Sequence, residues 1–177
     1  MRDSADMDTF RFVIVTLDSH TAGPACRVRD RLVADFPGLE IAIHAAAEWG
    51  ENPAALADAK QSIASADIIV ANLLFIEEHI QAILPELRAR RDACDAMVGV
   101  IADAQVVNLT RMGEVDLSKP ASGAMAILKK LKPKTKKTSS GEGQMKILRR
   151  LPKILKFIPG KAQDLRAYFL TMQYWLG

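Results

Sequence analysis

Polar and aromatic residues follow four short apolar runs in this sequence, where they could contact a ligand. They are Asp18, Ser19 and His20, then His44, Glu48 and Trp49, then Asn72 and Phe75, then Asp103 and Gln105. If the runs are parallel strands of one sheet, these residues share its carboxyl edge, where open α/β sheets bind ligands. His20 is better placed than Asp18, Ser19 or Asn72, which are also ordinary turn and capping residues.

His44 and Glu48 are four residues apart and can pair or share a metal ion only if the alanines between them are helical. The commoner alternative is a solvated histidine at a strand end. His79 stands between Glu77, Glu78 and Gln81, which predicts a surface position. No Cys/His group has zinc spacing, and no GxGxxG, GxxxxGK[ST] or GxSxG motif occurs, so nucleotide and serine-hydrolase chemistry have no support.

The apolar runs at 10–17, 39–44, 67–73 and 97–102 are short and rich in β-branched residues, as strands covered on both faces are. Helical periodicity lies between them, including a stripe through Ala25, Val28, Leu32 and Phe36. This alternation predicts βαβ units. The predicted fold class is α/β, a Rossmann-like or flavodoxin-like parallel sheet of about four or more strands with flanking helices.

Local signals refine the helices. Asn52-Pro53 is an N-cap followed by proline at the first helical position, with Leu56, Ala59 and Ile63 as the apolar stripe. The next helix carries Ile76, Ile80, Ile83, Leu84 and Leu87, and Pro85 is expected to kink or divide it. Further helices are predicted at 104–112 and 122–131.

The net charge of +3 conceals a division of the chain. Residues 1–128 hold 11 Lys+Arg against 19 Asp+Glu, a net charge of −8, and residues 129–177 hold 13 against 2, a net charge of +11. Residues 132–144 contain no apolar side chain, which predicts a flexible basic linker. Residues 145–158 form an amphipathic basic pattern, and Leu165, Tyr168, Phe169, Met172 and Leu176 predict a last helix.

The basic amphipathic segment has three interpretations. Its apolar side can pack on the same protein, which is the commonest case, or the segment can lie on an anionic membrane surface. Nucleic acid is disfavoured because aromatic residues are not interleaved with the charges. Cys26 and Cys94 are predicted to be buried or half-buried thiols in a reducing compartment. The N-terminus lacks an apolar signal region and no run is long enough to span a membrane, which predicts a cytoplasmic protein.

Four long stretches carry a resemblance to a known family. They are TLDSHTAG at 16–23, HAAAEWG at 44–50, and the stretches at 109–132 and 144–177. The chain resembles the N-terminal region of the large, porphyrin-binding H subunit of magnesium chelatase, nearest to the bacteriochlorophyll-pathway form. The cobalt chelatase large subunit is a less similar alternative.

The resemblance implies a much longer subunit that binds protoporphyrin as substrate and houses Mg²⁺ insertion, while two AAA+-type partner subunits hydrolyse ATP. It carries no catalytic or metal-ligating residue onto this chain, and no cofactor is expected to bind here. A flat apolar macrocycle needs an apolar wall and a polar orienting group, so His20, Trp49, Asn72 and Phe75 are the candidate porphyrin-rim residues.

The expected organisation is a disordered N-terminus at 1–9, an α/β domain at 10–131, the linker at 132–144, and a helical segment at 145–177 that continues into the rest of the subunit. The expected role is to assist porphyrin binding or subunit assembly. The alternatives are a module that docks partner subunits or the periphery of the photosynthetic membrane through 145–158, and an independent flavodoxin-like binding protein.

Overall fold

The computed structural model describes residues 9–17, 22–119, 152, 156 and 162–175, without the side chains of 22–25, 162, 165 and 171–175. The chain divides into two units, Met1–Leu109 and Thr110–Gly177. The predicted helix at 122–131, the linker at 132–144 and the amphipathic segment at 145–158 lie outside the described residues, apart from Pro152 and Lys156. The four-part division of the chain therefore stays a prediction.

The first unit is built on four parallel strands: β1 (Phe10–Thr16), β2 (Leu39–Ala45), β3 (Ile68–Asn72) and β4 (Ala96–Val100). Their order in the sheet is β2-β1-β3-β4, and every neighbouring pair is parallel. All four predicted strands are present, with ends that differ by one or two residues. The α/β class and the parallel sheet are confirmed, and the order is that of a flavodoxin-like sheet.

Three helices connect these strands, α1 (Ala22–Asp35), α2 (Pro53–Ser65) and α3 (Glu77–Arg90), and the short α4 (Ala104–Val107) follows β4. The predicted Asn52 cap is confirmed, because its Oδ1 accepts a hydrogen bond from the Ala55 N–H at 3.2 Å. The stripe predicted on α1 is less buried than expected, since Val28 is 50% and Phe36 59% exposed.

The core lies on one face of the sheet, beneath α2 and α3. Alternate strand residues point to this face and meet the apolar sides of both helices. The cluster includes Val13, Val15, Ile69, Ala71 and Met97 from the strands and Ala59, Ile63, Ile80, Ile83, Leu84 and Leu87 from the helices. On the other face, α1 meets the amino ends of β1 and β2, where Leu32 and Phe36 line a groove of about 600 Å³ with Phe10 and Leu39.

Pro85 was expected to kink or divide α3, and the predicted division is wrong. The helix runs unbroken from Glu77 to Arg90 with the proline inside it. Proline removes one backbone donor, but Ile83, Leu84 and Leu87 on either side of it are almost fully buried. Their burial offsets the lost hydrogen bond.

The helix predicted over 104–112 ends at Val107, and the rest of that prediction is wrong. Arg111–Met112 instead forms a strand, β5, that pairs antiparallel with β6 (Val115–Asp116) in the second unit. Gly113 in the turn has φ +56°, and a Cβ there would lie 2.5 Å from Asp164 Oδ2. That carboxylate accepts a hydrogen bond from the Glu114 N–H at 2.9 Å. A glycine turn suits a tight hairpin better than a helix.

The predicted last helix is present as α5 (Ala162–Trp175). Its Tyr168 and Phe169 are buried, with ring centroids 5.7 Å apart. Burial raises the pKa of the Tyr168 phenol, because the charged form is poorly solvated there. Cys94 is buried and Cys26 half-buried, as predicted, and neither is in a disulfide.

Candidate functional site

The order of the strands marks one position on the carboxyl edge of the sheet. The chain passes from β1 to β2 on one side, and β3 then lies on the other side of β1. The connections that leave β1 and β3 therefore diverge at the ends of these two strands. In flavodoxin-like sheets this switch point is the usual ligand position.

Two buried polar side chains lie at this switch point. Val15 pairs with Ala71, so Thr16 and Asn72 are the next residues on the neighbouring strands β1 and β3. Thr16 is 0% and Asn72 2% exposed, yet Thr16 Oγ1 and Asn72 Oδ1 have no hydrogen-bond partner. Most buried polar atoms in proteins are hydrogen-bonded, so a pair of unsatisfied ones at a ligand position points to a functional site.

Replacing Thr16 by valine is expected to raise the free energy of unfolding by about 1 kcal/mol, because it removes an unsatisfied buried hydroxyl at nearly constant volume. Urea denaturation monitored by circular dichroism measures the change. The same substitution at the exposed Thr9 should have almost no effect. A clear loss of stability in Thr16→Val would show that the hydroxyl is hydrogen-bonded in solution.

The backbone beside this pair is strained. Leu73, directly after Asn72, has φ +56°, and Ile101, directly after β4, has φ +50°. A bulky residue in the left-handed region costs on the order of 1–3 kcal/mol, and such residues cluster at functional sites. The Asp103 N–H donates to the Leu74 carbonyl at 2.8 Å and joins the two loops. The carboxyl edge is therefore held in a defined conformation.

An exposed apolar pair follows the strained loop. Phe75 is 56% and Ile76 47% exposed, and both come immediately before α3. We call these two residues the Phe75–Ile76 patch. Ile76 was expected to join the buried stripe of α3, and the structure shows instead that the stripe begins at Ile80. The patch gives the carboxyl edge an apolar surface that a flat ligand or a protein can contact.

His44, at the end of β2, is buried, whereas the sequence indicated a solvated side chain. Its side chain is 8% exposed, and Nδ1 lies 3.8 Å from Asp58 Oδ2 on α2. Nε2 has no hydrogen-bond partner. Burial lowers the pKa of the imidazole below 6.5, and the Asp58 carboxylate partly opposes that shift. Burial therefore favours the neutral form of the imidazole.

The depressed pKa makes stability depend on pH. Between pH 6.5 and the lower native pKa, the unfolded chain binds a proton at His44 and the folded chain does not, so stability falls as the pH falls. We expect His44→Gln to lose less stability than the wild type between pH 7.5 and 5, measured by urea denaturation. Asp58→Asn should lose more, because it removes the charge that favours the protonated imidazole. Identical pH profiles for all three would contradict this assignment.

Trp49 is also buried, at 6% exposure, and it packs on a histidine from another element. The Trp49 ring meets His79 of α3 edge-on, with centroids 5.9 Å apart and an interplanar angle of 73°. His79 is half-buried and its Nδ1 has no partner, so the predicted surface position is wrong. Trp49 therefore offers little open ring face to a macrocycle.

Of the four candidate rim residues, the structure places Asn72 and Phe75 on one strand and the loop that follows it, with Asn72 buried and Phe75 exposed. Trp49 lies in the β2–α2 connection, and His20 is outside the described residues. The sequence did not single out Thr16, because its importance depends on strand register.

Within the described ranges no group of three or more His, Cys, Asp or Glu residues is arranged to hold a metal ion. None of the helices in those ranges is long and apolar enough to cross a bilayer.

Together these features define an open, flavodoxin-like α/β domain with its candidate site at the carboxyl edge. The chain belongs to the family described as a domain of unknown function, DUF3479, whose model matches residues 11–169.

The curated relatives are subunits of one enzyme. The chain is 63% identical over 169 residues to the magnesium-chelatase H subunit of Cereibacter sphaeroides and 62% identical over 169 residues to that of Rhodobacter capsulatus. Each match covers 95% of this chain and 14% of the relative. The chloroplastic magnesium-chelatase ChlH subunit of rice is 30% identical over 116 residues, which is 65% of this chain and 8% of the relative. The chain thus spans about one seventh of the length of the first two relatives and matches their N-terminal part.

Proposed function

We propose that this chain is the N-terminal module of a magnesium-chelatase H subunit, and that it assists porphyrin binding without performing the metallation itself. The identities of 63% and 62% over 95% of the chain support the assignment to that subunit. The complete enzyme inserts Mg²⁺ into protoporphyrin on the (bacterio)chlorophyll pathway, with ATP hydrolysed by two AAA+-type partner subunits. Its place is the cytoplasm, with contact at the periphery of the photosynthetic membrane.

The Phe75–Ile76 patch carries the binding part of this proposal. Porphyrin is a flat, largely apolar ring, and a protein holds such a ring with an apolar wall and a few polar groups at its margin. Phe75 and Ile76 supply that wall at the carboxyl edge, and the unsatisfied Asn72 lies three residues away. His20 stays a candidate for the margin. Trp49 is withdrawn as part of the wall because it is buried.

The non-catalytic part of the proposal rests on what metal insertion needs. The reaction requires a base for two pyrrole protons and a site that removes water from Mg²⁺, which favours hard oxygen ligands. His44, Glu48 and Asp58 lie in one cavity lining, but no group of three or more His, Cys, Asp or Glu in the described part of the chain is arranged to hold a metal ion. We therefore assign the metallation chemistry to the larger remainder of the subunit.

A porphyrin titration tests the binding role. Deuteroporphyrin is added to the 177-residue chain while the Soret band and tryptophan fluorescence are followed. We expect saturable binding at concentrations on the order of 10 μM, weakened about five- to tenfold in Phe75→Ala, which corresponds to about 1.0–1.4 kcal/mol.

Phe36→Ala is the matched control, because Phe36 is 59% exposed against 56% for Phe75 and lies at the amino edge of the sheet. Equal weakening in both variants, or no Soret shift in the wild type, would remove porphyrin contact from the Phe75–Ile76 patch.

A further inference from the structure

A small cavity beside His44 is separate from the Phe75–Ile76 patch. It has a volume of about 180 Å³ and lies between the end of β2 and the start of α2. The residues that line it are Ile43, His44, Ala45, Glu48, Trp49, Ala55 and Asp58. Its size suits a small functional group and excludes a macrocycle.

The imidazole of His44 lines this cavity and has an unsatisfied ring nitrogen. Its side chain is more than nine-tenths buried, and Nε2 has no hydrogen-bond partner. The 3.8 Å between Nδ1 and Asp58 Oδ2 is too long for a hydrogen bond but favours the tautomer with its proton on Nδ1. In that tautomer Nε2 is an acceptor, so the cavity has a buried acceptor that no protein donor satisfies.

The charged groups of the cavity have one sign. Glu48 and Asp58 contribute two carboxylates, and both side chains are exposed. Among the described residues that line the cavity there is no lysine or arginine to neutralise them. The nearest basic residue on α2, Lys60, forms its own ion pair with Glu86 at 3.1 Å. The two carboxylates and His44 Nε2 accept hydrogen bonds, so an occupant that donates hydrogen bonds and carries positive charge fits them.

The arrangement of acceptors narrows the choice of cation. Trp49 also lines the cavity, and its ring meets His79 edge-on. A guanidinium group is flat and has several N–H donors in one plane for carboxylates and an imidazole nitrogen. An ammonium group is more strongly hydrated and gains less from such a site.

We propose that the cavity formed by His44, Glu48, Trp49 and Asp58 binds a guanidinium group, supplied by a free organic cation or by an arginine side chain of a protein partner. This site is independent of porphyrin binding at the Phe75–Ile76 patch, so either proposal can fail without the other.

The test is a fluorescence titration in a Trp175→Phe background, which leaves Trp49 as the single tryptophan. N-ethylguanidinium is the probe, and N-ethylurea, its neutral counterpart of similar shape, is titrated in parallel at constant ionic strength. We expect saturation by N-ethylguanidinium in the millimolar range and none by N-ethylurea at the same concentrations. No saturable response to N-ethylguanidinium, or an equal response to both probes, would overturn the proposal.

Variants connect the response to the cavity. Glu48→Gln and Asp58→Asn are each expected to weaken N-ethylguanidinium binding about three- to fivefold. Glu51→Gln is the matched control, because Glu51 is an exposed acid of the same connection that does not line the cavity. If Glu51→Gln weakens binding as much as Glu48→Gln, general electrostatic attraction replaces the proposed site.

A third probe distinguishes the two sources of guanidinium. A short peptide with one central arginine is compared with N-ethylguanidinium in the same background. At least tenfold tighter binding of the peptide supports a protein partner, and equal binding supports a free cation. Both results require that binding is lost on replacing the peptide arginine by citrulline, and binding that survives this replacement would contradict the proposal.

Discussion

Replacing Gly99 by alanine is expected to lower the free energy of unfolding by about 2–3 kcal/mol. Gly99 lies in β4 opposite Ala71, and a Cβ at this position would lie 2.6 Å from the Val106 carbonyl oxygen and 2.9 Å from Val107 Cα. Both are backbone atoms of the α4 region, which cannot rotate away as a side-chain end can. Alanine therefore forces α4 away from β4, and the loop at Ile101 and Asp103 with it.

Urea denaturation of Gly99→Ala measures this loss, and Gly50→Ala is the matched control. A Cβ on Gly50 would have no heavy atom within 4 Å, so its replacement should change the free energy of unfolding by less than about 0.5 kcal/mol. Equal stabilities for the two variants would contradict the close packing of α4 on β4.

Replacing Ile83 by alanine is expected to cost about 3–4 kcal/mol. Ile83 is 0% exposed on α3 and belongs to the cluster that joins α2, α3 and the sheet. The loss combines the transfer of the missing methyl and methylene groups with the cavity that close-packed neighbours leave unfilled.

Ile76→Ala is the control for Ile83→Ala, because the same residue type is 47% exposed one position before α3. We expect it to change stability by less than about 1 kcal/mol. The difference between the two variants, read from denaturation midpoints at equal m values, measures the burial of α3. Similar losses for both would show that α3 does not pack on the sheet as described.

The strands were predictable because each is a short, almost continuously apolar run rich in β-branched residues. Such a run is too short for a helix and typical of a strand that is covered on both faces. β1, for example, begins at the predicted Phe10 and ends at Thr16, one residue before the predicted end. The division of α3 at Pro85 was predicted incorrectly because proline has a low helix propensity. The burial of Ile83 and Leu87 stabilises the continuous helix in spite of it. The segment 108–112 was predicted to be helical, but part of it pairs antiparallel with β6 after a glycine turn. Hydrophobic periodicity does not reveal that pairing.

The candidate site was predictable only in part. Placing Asn72 and Phe75 at a carboxyl edge required nothing beyond the strand assignment. The pairing of Thr16 with Asn72 required the register of β1 on β3, which a single sequence does not contain. His44 and His79 were misplaced on the surface, and Trp49 was expected at the porphyrin rim, because the burial of these residues depends on how the β2–α2 connection meets α3.

The carboxyl edge combines two features that each lower stability. Thr16 and Asn72 are unsatisfied in the buried layer, and Leu73 and Ile101 are strained in the loops above it. Each feature costs stability, and such costs are typical of positions kept for function. The Phe75–Ile76 patch lies directly after them, which favours this edge as the side on which the module meets its ligand.

The central claim is that this edge contributes to porphyrin binding in a magnesium-chelatase H subunit, and steady-state kinetics test it most directly. The full-length subunit that contains this chain is assayed with its partner subunits, Mg²⁺ and ATP, at varied porphyrin concentration. We predict that Phe75→Ser raises KM for porphyrin about tenfold with kcat unchanged, and that Phe36→Ser alters neither. An unchanged KM in Phe75→Ser, or the same rise in both variants, would contradict the account.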